Sequence, residues 1–243
     1  MKALFRYRLL DDLKSLAALI AALLLAPILL SLMLATNSTN SSMTINGTGA
    51  FSTIWALVIG IAVLRGDLRL GNQFGLSRRS AFWGSVLSCT AAFAAASAIL
   101  SLLTAILQVI YQSDNSRVKV MDIYQFVYGN SAAGVMPAWD YVRMACMLFA
   151  LCLCFGFFGM LCTMAFWRLN KLGKWVLGVG MGLFLGVGLP NLANRLSPWL
   201  QRPARILATN VWALIAFLLI WAAVFLLGAW LLARRAAIKS AAK

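Results

Sequence analysis

Six apolar runs dominate this sequence, at residues 16–35, 50–64, 81–110, 143–167, 175–189 and 206–233. A helix of roughly 20 apolar residues matches the thickness of a bilayer core. Lipid offers no water to bond backbone polar groups, so each run must satisfy its own as a helix. The runs therefore predict an all-α polytopic membrane protein with six transmembrane helices, forming a single transmembrane domain over residues 1–243. Composition agrees with this: 63% of residues are hydrophobic and 11% charged, whereas soluble domains are about half apolar and a quarter charged.

The charge is one-sided, with 21 Lys+Arg against 6 acids, all of them aspartate, for a net +15. In a soluble protein that excess would suggest nucleic acid. Here the basic residues sit in short segments between apolar runs, where they orient the chain in the bilayer, and no nucleic-acid partner is expected. With the amino terminus inside, the cytoplasmic segments hold four basic residues at the start, four in the first loop, three in the middle turn and four in the tail, against six outside. The positive-inside rule thus favours six spans with both termini cytoplasmic.

Residues 1–15 carry Lys2, Arg6, Arg8 and Lys14, with Phe5, Leu9 and Leu13 spaced one helical turn apart. They read as an amphipathic helix at the cytoplasmic interface, the plainer alternative being a basic flank that anchors the first span. No cleavable signal is expected, because run 16–35 is of full-span length and lacks a small-residue cleavage site. Pro27 within it predicts a kink. The loop 36–49 is uncharged and rich in Asn, Ser, Thr and Gly, so its Asn37-Ser-Thr and Asn46-Gly-Thr triplets read as turn composition.

In the third run Ser97, Ser101, Thr104 and Gln108 step by three or four, which places one polar stripe on a helix face turned to protein or a wet cavity. Residues 111–142 form the longest non-membrane piece and hold Tyr111, Tyr124, Tyr128 and Tyr141, which suits a partly helical external segment at the membrane surface. Gly178, Gly182 and Gly186 recur every fourth residue and predict close helix packing in the fifth run. In 190–205, Pro190, Pro198 and Pro203 alternate with Leu192, Leu196, Trp199 and Leu200, predicting short re-entrant external helices before the last span. All five cysteines fall within predicted spans without C-x-x-C spacing and read as small core residues.

The stretch 65–80 is a polar island between the second and third runs, with four arginines, Asp67 and three glycines. Leu68, Leu70, Phe74 and Leu76 recur within it, as expected of a short helix with something to dock against. Asp67, Arg69, Asn72, Gln73, Arg78 and Arg79 would form the polar rim, and Gly71 and Gly75 would permit sharp bends. A simple positive-inside stop would need the arginines but neither Phe74 nor Gly75.

Catalytic reagents are scarce. There is no histidine, no acid falls in the middle of a predicted span, and no serine lies beside a clear base. The phosphate loop G-x-x-x-x-G-K-[ST] is missing, so the chain has no nucleotide site of that kind. No metal or other cofactor is expected in this chain, and it is not expected to be an enzyme.

The layout resembles the membrane (permease) subunits of type-2 ATP-binding-cassette (ABC) exporters. Those have an amphipathic start, six spans, a coupling helix in the first cytoplasmic loop and a re-entrant external pair. The run Phe74-Gly-Leu-Ser-Arg-Arg-Ser-Ala-Phe82 is similar to the G-[IV]-S-R-[KR] segment after that coupling helix, over Gly75–Arg79. Many family members carry a glutamate in this loop; here Asp67 is the acid available.

The resemblance implies a multi-pass protein of the bacterial inner (plasma) membrane that exports a substrate. ATP and Mg would be bound by a separate ATPase subunit. It also implies a second permease copy or a related permease as partner. Docking would fall on Asp67, Leu68, Arg69, Asn72, Phe74, Gly75, Leu76, Ser77, Arg78 and Arg79. The competing class is a membrane assembly or immunity factor that transports nothing. A secondary carrier is disfavoured by the missing titratable groups at depth.

Overall fold

The computed structural model describes residues 2–36, 43–46, 48–111, 118–129, 135–170, 173 and 205–234. Its elements are α1 (Lys2–Thr36), β1 (Met43–Asn46), α2 (Thr48–Gln73), α3 (Arg78–Tyr111), β2 (Val118–Met121), α4 (Ile123–Tyr128), α5 (Ala138–Arg168) and α6 (Val211–Arg234). Among the described residues four helices are long and apolar enough to cross a membrane: Gly49–Leu68, Arg78–Tyr111, Ala138–Arg168 and Val211–Arg234. The expected fifth span, 175–189, the re-entrant segment, 190–205, and the basic tail beyond Arg234 lie largely or wholly outside the described residues.

The core is built where α2 and α5 cross. Ser52, Ala56 and Gly60 recur every fourth residue on α2, and Cys152, Gly156 and Gly159 face them from α5. A Cβ at Gly60 would collide with the backbone carbonyl of Gly156, and one at Gly159 would come within 2.6 Å of the Leu57 carbonyl. Small residues let the backbones meet this closely. The Cys152 thiol donates to the Ser52 carbonyl and the Thr163 hydroxyl to the Ile61 carbonyl, at 3.7 and 2.9 Å. Partner numbers rise together, so α2 and α5 run in the same direction. Phe82, Phe93, Met144, Met147, Leu148 and Met160 fill the space around this crossing and are fully buried.

α6 also runs alongside α5 in the same direction, with Phe158 against Phe225 (5.2 Å between centroids) and Leu161 against Gly228. The end of α5 and the start of α6 therefore lie at opposite ends of the bundle. α6 buries little of itself: Ile220, Leu227 and Leu231 are all more than 60% exposed. Exposed apolar residues on several faces are expected of a protein whose solvent is lipid.

Three expectations change. The start of the chain is not a separate interfacial helix at 1–15, because α1 is one helix of 35 residues through Pro27 to Thr36. Its first turns are fixed by the buried Asp12, while Arg6, Asp11 and Lys14 stay exposed. The second run does not stop at Arg65: α2 continues to Gln73, and no separate short helix forms in 65–80. Nothing in 65–73 breaks a helix, and burial of Asp67 and Leu68 fixes those turns against the bundle.

Finally, the structure is not purely helical. β1 and β2 form a two-stranded parallel sheet, with Met43 opposite Val118 and Asn46 opposite Met121. The strands follow α1 and α3, neighbouring helices that run the same way, so their continuations meet in parallel. The polar stripe is as expected, with Ser97, Ser101, Thr104 and Gln108 all buried.

Candidate functional site

The candidate site is the elbow where α2 hands over to α3. The Leu76 amide donates back to the Gly71 carbonyl (2.8 Å) and the Phe74 amide to the Leu70 carbonyl (3.0 Å). Gly75 between them has φ +69°. A left-handed glycine with this wrap-around bond is a standard helix stop. The next helix starts at once. The Ser80 amide donates to the Ser77 hydroxyl (3.2 Å), and the Ala81 amide to the Ser77 carbonyl (2.9 Å). Ser77 thus caps α3. The sequence Gly75-Leu-Ser is a stop followed by a start, and only residues 74–77 lie outside the two helices.

The elbow sorts the expected docking residues into two groups. Phe74 is 78% exposed at the tip, Leu70 is 37% exposed beside it, and Ser77, Arg78 and Arg79 are exposed. Leu76 is half-buried. Asp67 and Leu68, by contrast, are 2% and 4% exposed and face the bundle, so neither can serve as rim or knob. Of Arg69 and Asn72 only the backbone is described, in the last turns of α2. Gly178, Gly182 and Gly186 lie outside the described residues.

Behind the elbow lies a buried ionic cluster that tethers α1. The Ser85 hydroxyl donates to Asp67 Oδ2 at 2.7 Å, and Ser88 to Asp12 Oδ2 at 3.4 Å. Arg8 Nε sits 3.4 Å from Asp12 and 4.0 Å from Asp67, while its Nη1 reaches the exposed Asp11 at 3.3 Å. One guanidinium thus balances three carboxylates across α1 and α2. Burial pushes the Asp12 carboxyl up to about 6; Arg8 opposes that shift, and Asp67 and Asp11 add to it. A reading of residues 1–15 as a basic flank passes over Asp11 and Asp12. Their signal was the i,i+3 and i,i+4 spacing from Arg8.

The opposite end carries a network of uncharged side chains, with a buried carboxylate and an ion pair beside it. Gln108, at the end of the polar stripe, donates to Gln125 Oε1 (2.8 Å) and to the Val120 carbonyl (3.4 Å), and accepts from the Tyr141 hydroxyl (2.6 Å). The buried Asp122 accepts from the Gly49 amide at 2.6 Å, tying the residue before α4 to the first turn of α2. Tyr124 and Tyr128 stack 5.6 Å apart, and Tyr128 donates to the Leu207 carbonyl at 2.5 Å. Burial pushes both phenols up, so they stay protonated donors. A cavity of about 410 Å³ opens beside them, lined also by Met136, Asp140, Arg143 and Thr209. Asp140 and Arg143 pair with each other at 3.0 Å.

Among the described residues no group of three or more His, Cys, Asp or Glu could hold a metal ion. No family model, no curated protein and no solved structure matches the chain.

Proposed function

We propose that this chain is the permease subunit of an ABC exporter. A separate ATPase subunit, binding ATP and Mg, docks on the α2–α3 elbow, and a second permease copy or a related chain completes the substrate path. The observation that carries this reading is Phe74, a large apolar side chain exposed at the tip of a hydrogen-bonded turn. With Leu70 exposed beside it, Phe74 offers a partner an apolar anchor of the kind that interfaces bury. The turn is short and its two arms are long helices, so a push at the tip is delivered directly to α2 and α3. Asp67, Ser85, Asp12 and Arg8 would pass that push on to α1.

Topology adds support. The ends joined by residues 169–204 lie on opposite sides of the bundle, as a six-span layout with one more crossing requires. The arginines of the elbow belong on the cytoplasmic side under the positive-inside rule. Because α2, α3 and the turn bury their own contacts, the docking surface is smaller than the full set 67–79 and centres on Phe74, Leu70 and Ser77.

The test is co-purification. Phe74→Asp is expected to abolish recovery of the ATPase subunit with the tagged chain, with membrane insertion unchanged, since Phe74 contributes little to the fold. Recovery of the complex at wild-type yield would remove the elbow from the mechanism.

A further inference from the structure

We infer that a cavity beside the elbow, between α2, α3 and α6, binds the phosphate of an anionic phospholipid headgroup. The cavity is about 470 Å³ and is lined by Leu68, Arg78, Arg79, Trp230, Ala233 and Arg234. Among the described residues its lining holds the guanidinium groups of Arg78, Arg79 and Arg234 and no carboxylate. The nearest acid in sequence, Asp67, is turned away to Arg8 and Ser85. Guanidinium groups match phosphate oxygens with paired donors, and basic pockets between membrane helices on the positive side bind lipid headgroups. α3 begins at Arg78, so the positive end of its dipole adds to the same field.

The walls distinguish a lipid from a soluble phosphate. Leu68 and Ala233 form a buried apolar floor. Trp230 stacks near Trp83, 6.1 Å between centroids, and Trp83 is partly exposed. Indoles of this kind sit at the headgroup level of a bilayer. Leu87, one turn beyond Trp83 on α3, and Leu231, next to Trp230 on α6, are both exposed, leaving apolar surface for an acyl chain. A free phosphate has no use for these surfaces; a phospholipid meets the guanidinium groups and the indoles together. Arg78 and Arg79 thereby serve a lipid at the flank of the elbow, while Phe74 serves the tip. The inference does not rest on the exporter reading.

The experiment uses the full purified chain in neutral detergent, titrated with phosphatidylglycerol, phosphatidylcholine or glycerol phosphate, with bound lipid counted by native mass spectrometry. Phosphatidylglycerol is expected to bind in preference to phosphatidylcholine. Arg79→Gln with Arg234→Gln is expected to weaken it by roughly fivefold per arginine, about 25-fold together. The double variant Arg6→Gln with Lys14→Gln, equal in charge but outside the cavity's lining, is expected to leave binding unchanged.

Equal weakening by both double variants would reduce the effect to general surface charge and overturn the site. So would the absence of any phosphatidylglycerol preference, or glycerol phosphate displacing the lipid at equal concentration, which would mark a soluble-phosphate site. Should the cavity double variant fail to fold, Arg234→Gln alone, at the exposed end of α6, carries the same test with a roughly fivefold expected loss.

Discussion

The two ends of this bundle are fastened by different physics. At the arginine end, Arg8, Asp12 and Asp67 tie α1 to α2 through charges that are largely out of water. At the tyrosine end, Gln108, Gln125 and Tyr141 tie α3 to α4 and α5 through neutral hydrogen bonds. Neutral bonds hold their strength across pH and salt. A buried ionic cluster is sensitive to protonation and is strongly destabilised when one member is lost. The Arg8 cluster is therefore the fastening built to respond, and the Gln108 network is the one built to stay put.

That contrast can be broken most forcefully at Arg8. Arg8→Ala leaves Asp12 and Asp67 facing each other without a cation, and is expected to cost about 3–5 kcal/mol in thermal or denaturant unfolding of the detergent-solubilised chain. A loss below about 1 kcal/mol would mean the carboxylates are solvated and the cluster is not a tether. At the far end, Gln108→Leu strands the partners of its amide and is expected to cost about 2 kcal/mol. The same loss should appear at every pH between 5 and 8; a loss that varied with pH would erase the distinction between the ends.

The third test sharpens the contrast. Burial raises the Asp12 carboxyl from 3.8 to about 6, so the folded chain holds that proton more tightly than the unfolded one. The stability this supplies is complete below about pH 4 and is lost as the pH rises through about 6. The difference in unfolding free energy between wild type and Asp12→Asn should change across that window, by up to about 3 kcal/mol in all, and be flat above it. A difference independent of pH would place Asp12 in water.

Much of the architecture was legible because membrane helices announce themselves by length and hydropathy. The stripe Ser97–Ser101–Thr104–Gln108 was legible for a second reason: polar side chains at helical spacing favour a face packed on protein, and the structure buries all four. The elbow was half legible. Charge density around Arg65 suggested a loop, yet α2 runs on to Gln73, because Asp67 finds Arg8 far away in sequence and Ser85 on the next helix. Pairing of that kind is invisible until the helices are packed. The packing glycines were sought in the fifth run, while the described crossing uses Gly60, Gly156 and Gly159. The repeat Ser52–Ala56–Gly60 was its available signal, diluted by serine and alanine. Gly75-Leu-Ser was read as part of a docking motif; its local geometry is first of all a helix stop and a helix cap.

The most direct measurement is labelling of a Phe74→Cys chain with a membrane-impermeant maleimide, in inverted vesicles and in intact cells, with and without the proposed ATPase subunit. The expected result is labelling from the cytoplasmic side alone, lost when the ATPase is present. Labelling from outside the cell, or labelling that the ATPase leaves untouched, would contradict the elbow as the point where this chain is driven.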